Sequence, residues 1–178
     1  LISSIAKTAT IHPQAEMSFE GHPNNTSAEH LETLNRLGFN RVSFGIQDYD
    51  PIVQKSIHRI QSFETVKKAH TKAAELGYAI SHDLVYGLPK QNLQSIALSL
   101  KNTLLLKPSR ISLYSYAHVP WIKGLGQRGY SEADLPQDEE KRALYEYAKE
   151  ILIQNGYVEI GMDHFALEND ALYQAYEA

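Results

Sequence analysis

The sequence predicts an α/β fold made of parallel βα units. Three observations carry this. Apolar runs of strand length alternate with segments of helical periodicity. The alternation repeats at roughly 30 residues, the length of a βαβ step. Turns containing Gly or Pro separate the pieces. Strand, helix, strand in that rhythm implies right-handed parallel crossovers.

Each element can be justified in turn. The first strand is Ala15-Glu16-Met17-Ser18-Phe19-Glu20, stopped by Gly21-His22-Pro23. Thr26 stands three before Glu29, a capping-box spacing that opens a helix. Leu31, Leu34 and Leu37 mark one face of that helix, and Gly38 is its C-terminal cap. The second strand is Arg41 to Gln47, ended by Asp48-Tyr49-Asp50-Pro51. Pro51 suits the first position of a short helix. A longer helix starts near Ser62, turns Val66, Ala69, Ala73 and Leu76 inward, and ends at Gly77. The third strand is Tyr78 to Val85, broken by Gly87-Leu88-Pro89. Leu93, Ile96, Leu100 and Leu104 define the next helix, halted before Pro108. The fourth strand is Arg110 to Tyr116.

Beyond Ala117 the regularity fails. Trp121 to Pro136 reads as a Gly-rich polar excursion. Asp138 to Asn155 is helical by pattern, with Leu144, Ala148, Ile151 and Leu152 on one side and Gly156 closing it. Tyr157 to Ile160 suits one more strand, and Glu168 to Ala178 a terminal helix. The organisation expected is therefore a βα part over residues 1–120 and a post-barrel part over residues 121–178. Four units do not close a barrel, which takes about 250 residues when eight-stranded. An open doubly wound sheet and one arc of a barrel both remain. The start at Leu1, without an initiator Met or a leader pattern, favours an arc cut from something longer.

Composition bounds the chemistry. The 178 residues are 43% hydrophobic and 21% charged, enough to pack a core. Net charge is −4, which argues against a general binder of nucleic acid or membrane surfaces. No run of about 18 apolar residues occurs. There are no cysteines, so disulfides, a thiol nucleophile and cysteine-held iron–sulfur clusters have no ligands here. The eight histidines include the adjacent pairs His82-Asp83 and Asp163-His164, neither of which has the i, i+4 spacing of a helical zinc site.

In parallel α/β folds, binding groups gather at the C-terminal strand ends. Those ends offer Glu20, Gln47, Asp83 and the Tyr116-Ala117-His118 group. The carboxylates and the amide accept from hydroxyls and ammonium, and Arg59 can grip a carboxylate with two N–H groups. Together they suit a zwitterionic ligand with sugar hydroxyls. Bland alternatives stand beside this. Glu20 also suits loop amides, Gln47 and Asp48 a turn before Pro51, Arg59 a solvated helix face, and Tyr114 and Tyr116 ordinary core. Asp83 favours function, because a carboxylate inside an apolar strand is costly unless partnered.

Four stretches are familiar. Arg41-Val42-Ser43-Phe44-Gly45-Ile46-Gln47-Asp48 and Asp83-Leu84-Val85-Tyr86-Gly87-Leu88-Pro89-Lys90-Gln91 resemble the radical S-adenosylmethionine enzymes of the coproporphyrinogen family. Tyr116-Ala117-His118-Val119-Pro120 and Gly161-Met162-Asp163-His164-Phe165-Ala166 resemble, more narrowly, the oxygen-independent coproporphyrinogen III oxidases of haem synthesis. The match runs from about Met17 to Asp170.

The resemblance implies a partial barrel of six βα units, of which this chain would hold the last four with the linker beyond. It implies two cofactors, S-adenosylmethionine and a 4Fe-4S cluster. The family's C-x3-C-x2-C cluster motif is absent here, so this stretch alone is expected to be inactive. The implied reaction takes hydrogen from two propionates of coproporphyrinogen III through a 5′-deoxyadenosyl radical. Carbon dioxide and an electron leave, and two vinyl groups result. The acceptor of that electron stays open. Glu20, Gln47, Arg59, Asp83 and Ala117 match the family's S-adenosylmethionine contacts; no catalytic residue and no metal ligand of the family falls on this chain. Chemistry suggests Arg59 on the methionine carboxylate, Asp83 and Gln47 on ribose hydroxyls, and Glu20 on the amino group or ribose. The implied setting is cytoplasmic, without nucleic acid or membrane. Haem chaperones of the same family are the alternative, but their His-Asn-x-x-Tyr-Trp tract is replaced here by Glu168-Asn169-Asp170-Ala171-Leu172-Tyr173. The edge near Met17 to Phe19 is expected to promote self-association.

Overall fold

The computed structural model describes residues 2–8, 10–12, 15–119 and 130–178. Its centre is a six-stranded sheet. Four strands come from the βα repeat: β1 (Ser18–Gly21), β2 (Arg41–Gln47), β3 (Ala79–Tyr86) and β4 (Arg110–Ser115). Each pairs with the next in parallel, as the repeat requires. The helices between them are α2 (Ala28–Arg36), α3 (Pro51–Ser56), α4 (Phe63–Glu75) and α5 (Leu93–Leu106); α1 (Ile2–Thr8) precedes the sheet. After a 3-10 turn at Glu132–Asp134 come α6 (Asp138–Gln154), β5 (Val158–Gly161), β6 (His164–Ala166) and α7 (Ala171–Glu177).

The starts and stops read from the sequence hold in most units. Asp50 caps α3 through Ile52 and Val53, with Pro51 at its first position. The Ser62 hydroxyl caps α4 by accepting from the Thr65 amide. Gly38, Gly77 and Gly156 follow α2, α4 and α6 as expected.

Some expectations need correction. Helix α2 starts one residue late: Ser27, not Thr26, is the cap, paired with His30 rather than Glu29. The Thr26 hydroxyl instead donates to the His22 carbonyl, closing the turn before the helix. Leu31 is fully buried on α2, but Leu37 is 41% exposed because the helix has already ended. Leu93 likewise sits at the exposed start of α5. Strand β6 was not anticipated; Met162 and Asp163 turn the chain with positive φ, and β6 runs back antiparallel between β4 and β5. Trp121 to Gly129, most of the expected excursion, and Pro120 lie outside the described residues.

Register divides the sheet into two unlike faces, since residues two apart in a strand share a side. One face carries Val42, Phe44, Ile46, Ile80, Leu84, Ile111, Leu113 and Phe165, all at most 5% exposed. Val66, Ala69 and Ala73 of α4, Ile96 and Leu100 of α5, and Leu144, Ala148 and Leu152 of α6 join them in one core. The other face is polar. Glu20, Ser43, Ser81 and Arg110 form one row across the strands, and Gly45, Asp83, Ser112 and His164 the next.

Candidate functional site

The polar face lines an open cavity of about 410 Å³, whose walls include Glu20, Ser43, Asp83, Ser112, Tyr114 and His164. Asp83 is its most enclosed carboxylate. The Ser43 hydroxyl donates to its Oδ2 at 2.8 Å. Burial pushes the Asp83 carboxyl up, the Ser43 and Ser112 hydroxyls pull it back, and the charge of Glu20 adds to the rise. Tyr114 stands in the cavity wall at 40% exposure rather than in the core.

Gln47 and Arg59 converge one row higher. Between Gly45 and Gln47 the register with β3 slips, and Gln47 takes a positive φ of 68°. A bulge of this kind re-aims the side chain at the strand end. Arg59 is not on a helix face; it follows α3 and is half-buried. Its Nη2 donates to the Gly45 carbonyl at 2.8 Å, and its buried Nε has no partner among the described residues. A Cβ at Gly45 would meet Arg59 Nη2 at 2.7 Å and Gln47 Nε2 at 3.1 Å, so the absence of a side chain there lets both approach. Gly45 lies opposite Asp83 in the register, and Arg59 and Asp83 attract each other.

Ala117 lies apart from that cavity's walls. It is exposed and follows Tyr116, whose amide donates to the Tyr86 carbonyl at 2.8 Å beyond the end of β4. The structure thus brings Glu20 and Asp83 into one cavity and sets Gln47 and Arg59 over Gly45 beside them, with Ala117 on the neighbouring strand end.

Sequence reasoning underrated Asp48. It is fully buried and organises the loops that carry the site. Its carboxylate accepts from the Asp50 amide, the Ser99 hydroxyl and Gln91 Nε2. Gln91 in turn accepts from the Gly87 and Leu88 amides. Gln54 donates to the Asp48 and Gln61 carbonyls, and Gln61 to that of Ile46. The loop after β2 is therefore tied to the loop after β3 and to α5 by side chains 43 and 51 residues away. Burial raises the Asp48 carboxyl to about 6, against the pull of its three donors. The available signal was Gln91 itself, a polar residue two positions after a Gly-Leu-Pro turn.

Asp170 was missed as well. It caps α7 and sits beneath the sheet, 2% exposed. It accepts from Arg41, from Arg110 through two nitrogens, and from Ser109. Burial alone would raise its carboxyl, but the bonds from Arg110 and Ser109 and the charge of Arg41 hold it below its ordinary value. This clasp closes the end of the polar face opposite the strand ends.

Comparisons with known proteins agree on one family. The radical SAM superfamily profile matches residues 3–101. The oxygen-independent coproporphyrinogen III oxidase of Helicobacter pylori strain J99 is 44% identical over 161 residues, covering 90% of this chain and 35% of that protein. The enzyme of the same name from Paracoccus denitrificans is 43% identical over 165 residues, covering 92% of this chain and 36% of its own length. Among solved structures, the coproporphyrinogen III oxidase HemN of Escherichia coli, described as a radical SAM enzyme, superimposes with a TM-score of 0.92 at 37% identity. That match covers 98% of this chain and 40% of the solved one. The chain thus spans little more than a third of the length of the curated relatives it matches.

Proposed function

This chain belongs to the radical SAM superfamily, and from that premise we propose that it is part of an oxygen-independent coproporphyrinogen III oxidase. The longer enzyme would convert two propionates of coproporphyrinogen III to vinyls, giving protoporphyrinogen IX. One observation carries the reading: two carboxylates, an amide and a guanidinium meet at the C-terminal ends of parallel strands.

The donor set fits S-adenosylmethionine, whose ends are a carboxylate, an ammonium and ribose hydroxyls. Among the described residues the buried Arg59 Nε has no partner, which suits a carboxylate acceptor. Asp83 and Gln47 are suited to the ribose hydroxyls and Glu20 to the ammonium or ribose. Ala117, on the adjoining strand end, would touch the nucleoside. When bound, the cofactor supplies the radical that takes hydrogen from a propionate side chain. These residues would hold and orient it, while the Asp48 network keeps the two loops in place. The 4Fe-4S cluster does not fit this chain, which has no cysteine. Its ligands would come from other sequence.

The βα part would end near residue 120, the rest leading toward a substrate-covering region. A cytoplasmic setting suits a chain in which no described helix is long and apolar enough to cross a membrane. Isolated from the rest, the chain would self-associate along β1, whose outer side pairs with no strand among the described residues.

The test is anaerobic turnover by the full-length protein with a reconstituted cluster, S-adenosylmethionine and coproporphyrinogen III. Protoporphyrinogen IX should appear, while the isolated chain should be inert. Tight stoichiometric haem binding without turnover would instead make the protein a haem chaperone.

A further inference from the structure

Helix α6 lies outside the βα repeat, yet one of its side chains reaches the strand end that carries Ala117. The Lys141 Nζ donates to the Tyr116 carbonyl at 2.7 Å. On the way its aliphatic stem crosses Gly87, where a Cβ would stand 2.6 Å from Lys141 Cε and where φ is +81°. Only glycine suits both the space and that backbone. The ammonium also stands 5.9 Å from the centre of the Tyr86 ring. Tyr116 is held on its amide side too, where its N–H donates to the Tyr86 carbonyl. Tyr116 is therefore held at both its N–H and its C=O, so the two successive peptides that meet at this residue are each fixed on one side.

A contact needed only for packing would be met by an apolar side chain. A half-buried ammonium is a costly choice unless its charge is used. Among the described residues Lys141 has no carboxylate within 4.0 Å; the Tyr116 carbonyl is what it serves. That carbonyl shares a planar trans peptide with the Ala117 N–H. Holding the oxygen on Lys141 turns the N–H the opposite way. Among the described residues that N–H has no acceptor, and Ala117 is exposed.

We infer that Lys141 is a positioning residue: it fixes the Tyr116–Ala117 peptide so that the Ala117 N–H is offered to the nucleoside of bound S-adenosylmethionine. The post-barrel helix α6 thereby sets cofactor affinity without touching the cofactor. This rests on the reading above.

The experiment is equilibrium dialysis of labelled S-adenosylmethionine against the full-length protein, with thermal unfolding measured alongside. Loss of a charge-assisted hydrogen bond predicts about ten-fold weaker binding for K141M. The melting temperature should stay within about 3 °C of the parent. K141R, which keeps a charged donor, should recover to within about three-fold. Unchanged affinity in K141M overturns the inference. So does a K141R no better than K141M, or a K141M whose affinity falls only together with its melting temperature. A parent protein that binds no S-adenosylmethionine at all overturns the cofactor reading instead, and this inference with it.

Discussion

The two faces of the sheet are made from alternate residues of the same strands and do opposite work. On β2, Val42, Phe44 and Ile46 point to the helices and are essentially sealed, while Ser43 lines the cavity and Gly45 stands on the same polar face. The helix side gains its free energy from area removed from water, which any well-packed apolar set supplies. The cavity side keeps polar groups partly desolvated and therefore sensitive to their partners, as the raised Asp83 carboxyl illustrates. Stability and binding are thus separable by residue parity.

Phe44→Ala should have the largest effect on folding. Phe44 is wholly buried against the helices, so truncation should cost about 3–5 kcal/mol in urea unfolding. Cofactor affinity of the protein that remains folded should hold within about three-fold; a larger loss would mean that the faces are coupled.

Asp83→Asn tests the opposite side. S-adenosylmethionine affinity should fall by roughly 10- to 100-fold, the worth of a hydrogen bond to a charged group. Stability should stay within about 1 kcal/mol, because the carboxylate is already disfavoured by burial. A variant that binds normally would remove Asp83 from the site.

The smallest effect concerns acid. His82 is a polar residue on the apolar face, fully buried beside His70, and burial lowers both imidazoles. Unfolded histidines take up protons below about 6.5, while the folded pair resists them. Stability contributed this way is present above that pH and declines as pH falls, by up to ~1.4 kcal/mol per unit for His82. Asp48 acts in the other direction. With its carboxyl raised from 3.8 to about 6, its contribution is greatest in acid and is lost as pH rises through that window. Urea unfolding of His82→Leu between pH 7 and 5.5 should show a flatter dependence than the parent. An identical slope would place the acid sensitivity elsewhere.

Much of this architecture was legible because its cues are local. Arg41 to Gln47 was found with correct bounds, since an apolar strand meets Asp-Tyr-Asp-Pro at one end. The start of α3 followed from Pro51 at a first helical position, and the limits of α4 from its apolar periodicity and Gly77. The one-residue error at Ser27 arose because Thr26 and Ser27 both offer a hydroxyl, and His30 can complete the box as well as Glu29 would. Strand β6 is only three residues long and is held by neighbours rather than by propensity.

Local sequence encodes the parallel repeat, most helix boundaries and the polar residues at the strand ends, because each depends on neighbours a few positions away. Long-range packing puts Gln47 and Arg59 in the same space above Gly45 and closes Asp170 on Arg41 and Arg110. It alone decided that Lys141 holds the peptide before Ala117. Such pairings join residues up to 129 positions apart, and no local preference encodes them; they exist because packing the apolar face leaves those polar groups in reach of one another.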